Sequence, residues 1–257
     1  MLRGGGGFVA LAAGPRGQAG AGGHSHNDRT SFEVHVRGVP TIVDPGSPVY
    51  ARDPEVRNAF RSSLAHNAVV VDGEEQTDFD ADRLFALPEG PRCRVERFEL
   101  RERVDSLCAV HHGYERLPQP VTVRRMLSLH KDLRALQVDE HCEGEGAHHY
   151  RVGLLLPDVH VRLRGPRGEE RQRAAALLGE LQLDESLAVE LGPRDAPRAT
   201  VLVQSGIEVS LEEALVASGY GEQAPSVRVV LSWRDETPGH RRWVVLWDKE
   251  KPAEPEA

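Results

Sequence analysis

The chain has 257 residues, 39% of them hydrophobic and 28% charged, with a formal net charge of −8. That balance suits a folded globular protein with a sizeable core rather than a disordered chain. The acidic charge argues against a general nucleic-acid binder, which needs a basic surface, but a local cluster of Arg and His can still hold an acidic ligand. No apolar run reaches the eighteen or so residues of a membrane-spanning helix.

The opening residues, MLRGGGGFVALAAG, carry one Arg and a short apolar stretch, as a signal peptide does, but four glycines interrupt them. They predict a strand over Phe8–Ala13 at the edge of a sheet. A flexible glycine loop follows over Gly14–Gly23. On this reading residues 1–23 form an N-terminal strand and loop, and the chain is either unexported as written or a fragment of a longer protein. The loop runs straight into His24-Ser25-His26-Asn27-Asp28. A glycine-rich segment leading into clustered polar residues is typical of binding sites.

Strand patterns come next. SFEVHVRG alternates apolar and polar from Phe32 to Val36 and reverses at Gly38. TIVDPG is an apolar run stopped by Pro45-Gly46. PEVRNAFRSS opens on Pro54, well placed for the first turn of a short helix. HNAVVVDGEE is a β-branched run ending in Asp72-Gly73, which reads as a hairpin turn. From Cys93 to about Leu156 a meander of alternating segments predicts a sandwich or barrel rather than βαβ units. RQRAAALLGELQL and LEEALVAS have helical patterns. SVRVVLSWR and RRWVVLWD read as strands, and the tail 249–257 as disordered. The expected fold is all-β: a large antiparallel β-sandwich of stacked sheets with one or two short helices, one domain over residues 24–248.

Cys93, Cys108 and Cys142 make no C-x-x-C pair and, being three, no disulfide framework; their redox state stays open. The histidines carry the chemistry. On an extended segment His24 and His26 project to the same face. Asp44 ends a strand at the Pro-Gly turn, and His66 opens another. Two or three His and one carboxylate make a zinc shell. Yet His-x-His is a weak signal among twelve histidines, and Asp-Pro-Gly is by itself a turn, so hydrogen-bonded loop residues are the alternative. His111-His112 and His148-His149 are adjacent, so on a strand one of each pair is satisfied in the sheet and the other exposed. Arg57, Arg61, Arg124 and Arg125 could grip sugar carboxylates bidentately or serve in strand ion pairs. No phosphate loop and no G-x-S-x-G elbow is present. A cupin-type metal oxygenase, which also uses His-x-His, would place a Glu where Arg29 and Thr30 stand.

Taken together, GGHSHNDRTSFEVHVRGVPTIVDPG and FRSSLAHNAVVVDGEEQ resemble the C-terminal domain of the heparinase II/III-like polysaccharide lyases. Gly113-Tyr114, Arg124-Arg125 and Gly219-Tyr220-Gly221 also look like family positions. The resemblance is good over residues 8 to about 130 and looser beyond. It implies a β-sandwich that follows an α-helical toroid, and β-elimination at a uronic acid in an acidic polysaccharide, in the cell envelope or periplasm. It assigns a structural zinc to His26, Asp44 and His66 and a catalytic place to His24; Arg61 is a candidate substrate contact. In the family, a Tyr and an Asn or His from the toroid complete the site, and neither Tyr50 nor Tyr114 matches that Tyr. The expectation is therefore a domain incomplete without its toroid partner, or a non-catalytic carbohydrate-binding or interface module of the same ancestry.

Overall fold

A computed structural model describes residues 1–14, 23–88, 93–179 and 182–248. In chain order the elements are β1 (Leu2–Gly4), β2 (Gly7–Leu11), β3 (Phe32–Val36), β4 (Val39–Ile42), α1 (Pro54–Arg61), a 3₁₀ turn (Ser63–Ala65) and β5 (Val69–Val71). Then come β6 (Cys93–Glu99), β7 (Val104–Tyr114), β8 (Val121–His130), β9 (Ala135–Gly144), β10 (Ala147–Leu155), β11 (Val161–Arg164) and α2 (Gly168–Leu178). The last are β12 (Leu183–Leu191), β13 (Ala199–Gln204), β14 (Glu208–Gly219), β15 (Glu222–Glu236) and β16 (Gly239–Leu246).

The strands form three antiparallel sheets: β1-β2-β3-β4, β14-β15-β10-β5, and an eight-stranded β11-β12-β13-β16-β9-β8-β7-β6. The large sheet gives one face to a single core shared with both small sheets. On β8, Val121, Val123, Leu127 and Leu129 point inward, as strand alternation demands. They join Phe32 and Val34 of β3 and Val69, Tyr150 and Leu231 of the second small sheet. The other face is covered at one end by α2, whose Ala174, Leu177 and Leu178 pack on Ala188, Leu202, Val244 and Leu246.

The all-β sandwich with two short helices is as the sequence implies, and the meander appears as β6–β9, each strand hydrogen-bonded to the next, whereas its last expected segment, HHYRVGLLL, lies in β10 and pairs with β15 and β5 in another sheet. Three local expectations change. LEEALVAS lies in β14, not a helix, and pairs with β15 from Glu208↔Ser232 to Gly219↔Glu222. An isolated eight-residue helix is marginal in water, whereas the fifteen-residue β15 offers a full ladder. Arg151 on β10 also grips Glu212 with two bonds of 2.7 and 2.6 Å. Asp72-Gly73 does turn, with φ of 54° and 77°, but β5 pairs with the distant β10 rather than closing a hairpin. The strand expected over Phe8–Ala13 runs Gly7–Leu11 and lies between β1 and β3, so β1 is the edge. A Cβ at Gly7 would stand 2.6 Å from Trp247 Cζ2, which explains the glycine where the C-terminal Trp crosses this sheet.

Most of the glycine loop and the tail expected to be disordered lie outside the described residues. Cys93, Cys108 and Cys142 are unpaired thiols, the last two buried.

Candidate functional site

The first small sheet, α1 and the loop before β5 bring the N-terminal histidines together. Asn27 N–H donates to the Arg61 carbonyl at 2.9 Å, and Asn27 Nδ2 donates to Glu75 and to the Thr77 carbonyl, each at 2.8 Å. Gln76 closes a two-way bond with the backbone of Arg29. These bonds clamp the His24–Arg29 segment onto residues 61–77.

Asp44 sits at the turn after β4, where its Oδ1 accepts from Gly46 N–H at 2.9 Å and its Oδ2 lies 2.8 Å from His66 Nδ1. His66 follows the 3₁₀ turn and is buried; its ring centroid lies 5.2 Å from that of His26. Its Nε2 is buried with no hydrogen-bond partner among the described residues. Arg57, on α1, lies 2.7 Å from His26 Nε2 through Nη1 and also donates to Ser47 Oγ at 3.1 Å. Asn67 secures the group: its Nδ2 donates to the carbonyls of Phe32 and Val43, and its Oδ1 accepts from Leu155 N–H.

The electrostatics divide the two imidazoles. Burial, then the neighbouring His66 and Arg57, push His26 down to about 3, so it is neutral at pH 7, with Nε2 against the Arg57 guanidinium. Burial also opposes a charge on His66, but the hydrogen bond and field of Asp44 outweigh it and raise its pKa. Burial likewise works to raise Asp44, but the bond to His66 holds it below the usual carboxylate range.

His24 is the exposed member of the group. Its ring meets Tyr50 edge-on at 5.4 Å and Phe85 at 6.4 Å, and Tyr50 continues to Tyr220 at 5.5 Å. All three aromatics are more than a third exposed. An open cleft lined by His24, Ser25, His26, Asp28 and Arg29 lies alongside. Sequence reasoning did not find this aromatic wall. Its members come from positions 24, 50, 85 and 220, and only tertiary folding makes them neighbours.

The arginines are spoken for. Arg61 is buried and donates to Asn58 Oδ1 and to the carbonyls of Asp80, Arg83, Leu84 and Ala86, with its guanidinium 4.1 Å over the Phe79 ring. It anchors the loop that carries Phe85. Arg124 pairs with Glu96 and Glu143 on the sheet surface. Arg125 pairs in the core with Glu140, both fully buried. His111 and His148 are buried while His112 and His149 are not, the division expected of adjacent strand residues. A compact Asp/His/His cluster, with ligand atoms all within 4.8 Å of one another, occurs elsewhere, at Asp139, His141 and His240.

Fold and site together define a β-sandwich domain that carries a His–Asp–His group, anchored by the buried His66, close in sequence to the exposed His24. Residues 1–247 match the family described as heparinase II/III-like, C-terminal, and the chain belongs to that family. Solved structures agree in fold. A heparan sulfate lyase from Pedobacter heparinus shares 18% identity at TM-score 0.68, over 96% of this chain and 34% of its own. A heparinase III with methylated lysines shares 15% at TM-score 0.68, over 96% and 33%; another heparinase III shares 13% at 0.65, over 93% and 33%. The chain thus spans about a third of the length of these enzymes. No curated protein matches it.

Proposed function

We propose that this chain forms one wall of the active site of a polysaccharide lyase that cleaves a uronate-containing polymer by β-elimination, the other wall coming from a helical domain. One observation carries the reading: His24 is the exposed histidine of the group and stands among Tyr50, Phe85 and Tyr220. Aromatic faces pack on the apolar faces of sugar rings. An imidazole among them can exchange a proton at the reacting sugar or offset charge developing on its carboxylate. Elimination needs a base at C5 and an acid at the departing O4; His24 supplies one such group, and the second comes from the helical partner. Substrate binding falls to the aromatic wall, since Arg61 is buried and bonded to Asn58 and to loop carbonyls.

His26, Asp44 and His66 are the residues that would hold a zinc ion. A neutral imidazole, an ionised carboxylate and an unpartnered imidazole nitrogen are suitable donor types, and since Asp44 meets His66 at Nδ1 while Nε2 is the unpartnered nitrogen, the carboxylate or the ring must turn for both to face one ion. The ion's contribution is structural, a cross-link between the His24 segment, the β4 turn and the entry to β5.

The test follows unsaturated product by ultraviolet absorbance on heparan-type, alginate and other uronate polymers. We expect little turnover from this chain alone and activity when a helical domain is joined to it. In that active form His24→Ala should depress kcat far more than it raises KM. Unchanged turnover would remove His24 from the mechanism. Polymer binding without turnover in the joined form would favour a carbohydrate-binding module. Elemental analysis of the purified chain and of His26→Ala should differ by about one zinc per chain.

A further inference from the structure

We propose that Asp139, His141 and His240 form a second metal site, a clip for a divalent transition metal on the face of the large sheet that carries α2. The site is independent of the lyase reading, because none of its residues belongs to the His24 group.

Strand register builds it. On neighbouring β9 and β16, His141 is directly opposite His240, and Asp139 is opposite Arg242. Directly opposed side chains of an antiparallel pair lie about 5 Å apart at Cβ, and residues two positions along share the same face. All three ligands therefore project together, and their ligand atoms lie within 4.8 Å of one another. The two imidazole rings stack face to face, centroids 4.2 Å apart and 7° from parallel. Imidazole lone pairs lie in the ring plane, so one of these parallel rings must turn about its side-chain bonds for both to face a single ion.

The carboxylate is held for the purpose. Asp139 is buried, and its Oδ2 accepts from Gln137 Nε2 at 2.7 Å. Its Oδ1 accepts from Arg242 Nε at 2.6 Å and lies 2.8 Å from His240 Nε2. Arg242 is itself fixed, donating through Nη1 to the carbonyls of Leu177 and Leu178 at the end of α2. A metal-ligating carboxylate is commonly oriented by such outer partners. A divalent ion at His240 Nε2 would take the place of the hydrogen bond to Asp139 Oδ1, the ring proton moving to Nδ1. His141 and His240, both half-buried, leave the ion a path from solvent and room for water as a further ligand.

The donor set selects the ion. Two imidazoles and one carboxylate suit Zn²⁺, Cu²⁺, Ni²⁺ or Co²⁺; Mg²⁺ and Ca²⁺ prefer all-oxygen shells. The nearby Arg242 guanidinium also disfavours a cation unless strong nitrogen coordination compensates.

The experiment uses the full chain carrying His26→Ala, which disables the first site, and titrates it with Co²⁺ and Zn²⁺. One Co²⁺ should bind per chain, with visible d–d absorption of a mixed nitrogen–oxygen shell, and Zn²⁺ should displace it. His240→Ala and His141→Ala, at half-buried positions where folding should survive, should each weaken Co²⁺ binding at least tenfold and abolish the band. His149→Ala, at an exposed histidine, should change nothing. Zn²⁺ should also raise the melting temperature of the parent but not of His240→Ala, while Mg²⁺ raises neither. No Co²⁺ band in the parent, or equal binding in His240→Ala and His141→Ala, would overturn the site. Its failure would leave the lyase reading untouched, because that reading is tested through His24.

Discussion

Arg57 Nη1 stands 2.7 Å from His26 Nε2, so the lone pair best placed for a metal is held by a guanidinium. Cation and metal compete for one nitrogen.

Removing that competitor should tighten the zinc site. Arg57→Met keeps an apolar stem in the buried position and deletes the charge. Its zinc affinity, measured by competition with a chromophoric chelator, should rise about tenfold, equivalent to about 1.4 kcal/mol. Weaker or unchanged zinc binding would show that Arg57 does not oppose the metal.

Asn67 should be costly to remove. It joins Phe32, Val43 and Leu155, main-chain groups of three segments, through one buried amide. Asn67→Ala strands two carbonyls and one N–H. Each unsatisfied buried group costs about 1–3 kcal/mol, so urea unfolding should lose about 3 kcal/mol or more. A loss below about 1 kcal/mol would mean that water replaces the amide.

The buried pair of Arg125 and Glu140 makes a sharper case. Arg125 also donates to the carbonyls of Thr30 and Asn67, tying β8 to the His24 and His66 segments. Arg125→Met leaves a carboxylate in the core and should cost about 3–5 kcal/mol. Adding Glu140→Leu should recover much of that loss, because no buried charge then stands alone. Additive losses in the double variant would refute this account.

Acid should weaken the α2 end of the molecule. Burial tends to raise the Glu170 pKa, but bonds from Arg164, the Arg167 backbone and Thr200 hold it down to about 2, against an ordinary value of 4.5. A depressed folded pKa contributes stability above the unfolded value that is lost as pH falls toward the folded one. The melting-temperature advantage over Glu170→Gln should therefore be constant above about pH 5 and shrink between about 4.5 and 2. Parallel melting curves down to pH 2 would exclude this role.

The residues 24–76 show how far local pattern reaches. His24, His26, Asp44 and His66 stand in motifs readable one residue at a time, because each sits at a turn or strand start dictated by its neighbours. Alternation in β8 and β15 likewise follows from side-chain period alone. LEEALVAS carries apolar residues at helical spacing, and only the ladder offered by β15 makes it a strand. Tertiary structure alone decided that Arg61 faces inward to loop carbonyls, that Tyr50, Phe85 and Tyr220 meet at His24, and that His141 opposes His240. Those contacts join residues tens to hundreds of positions apart. Local propensity carries no information about them, since they arise from strand register and from loops packed over a shared core.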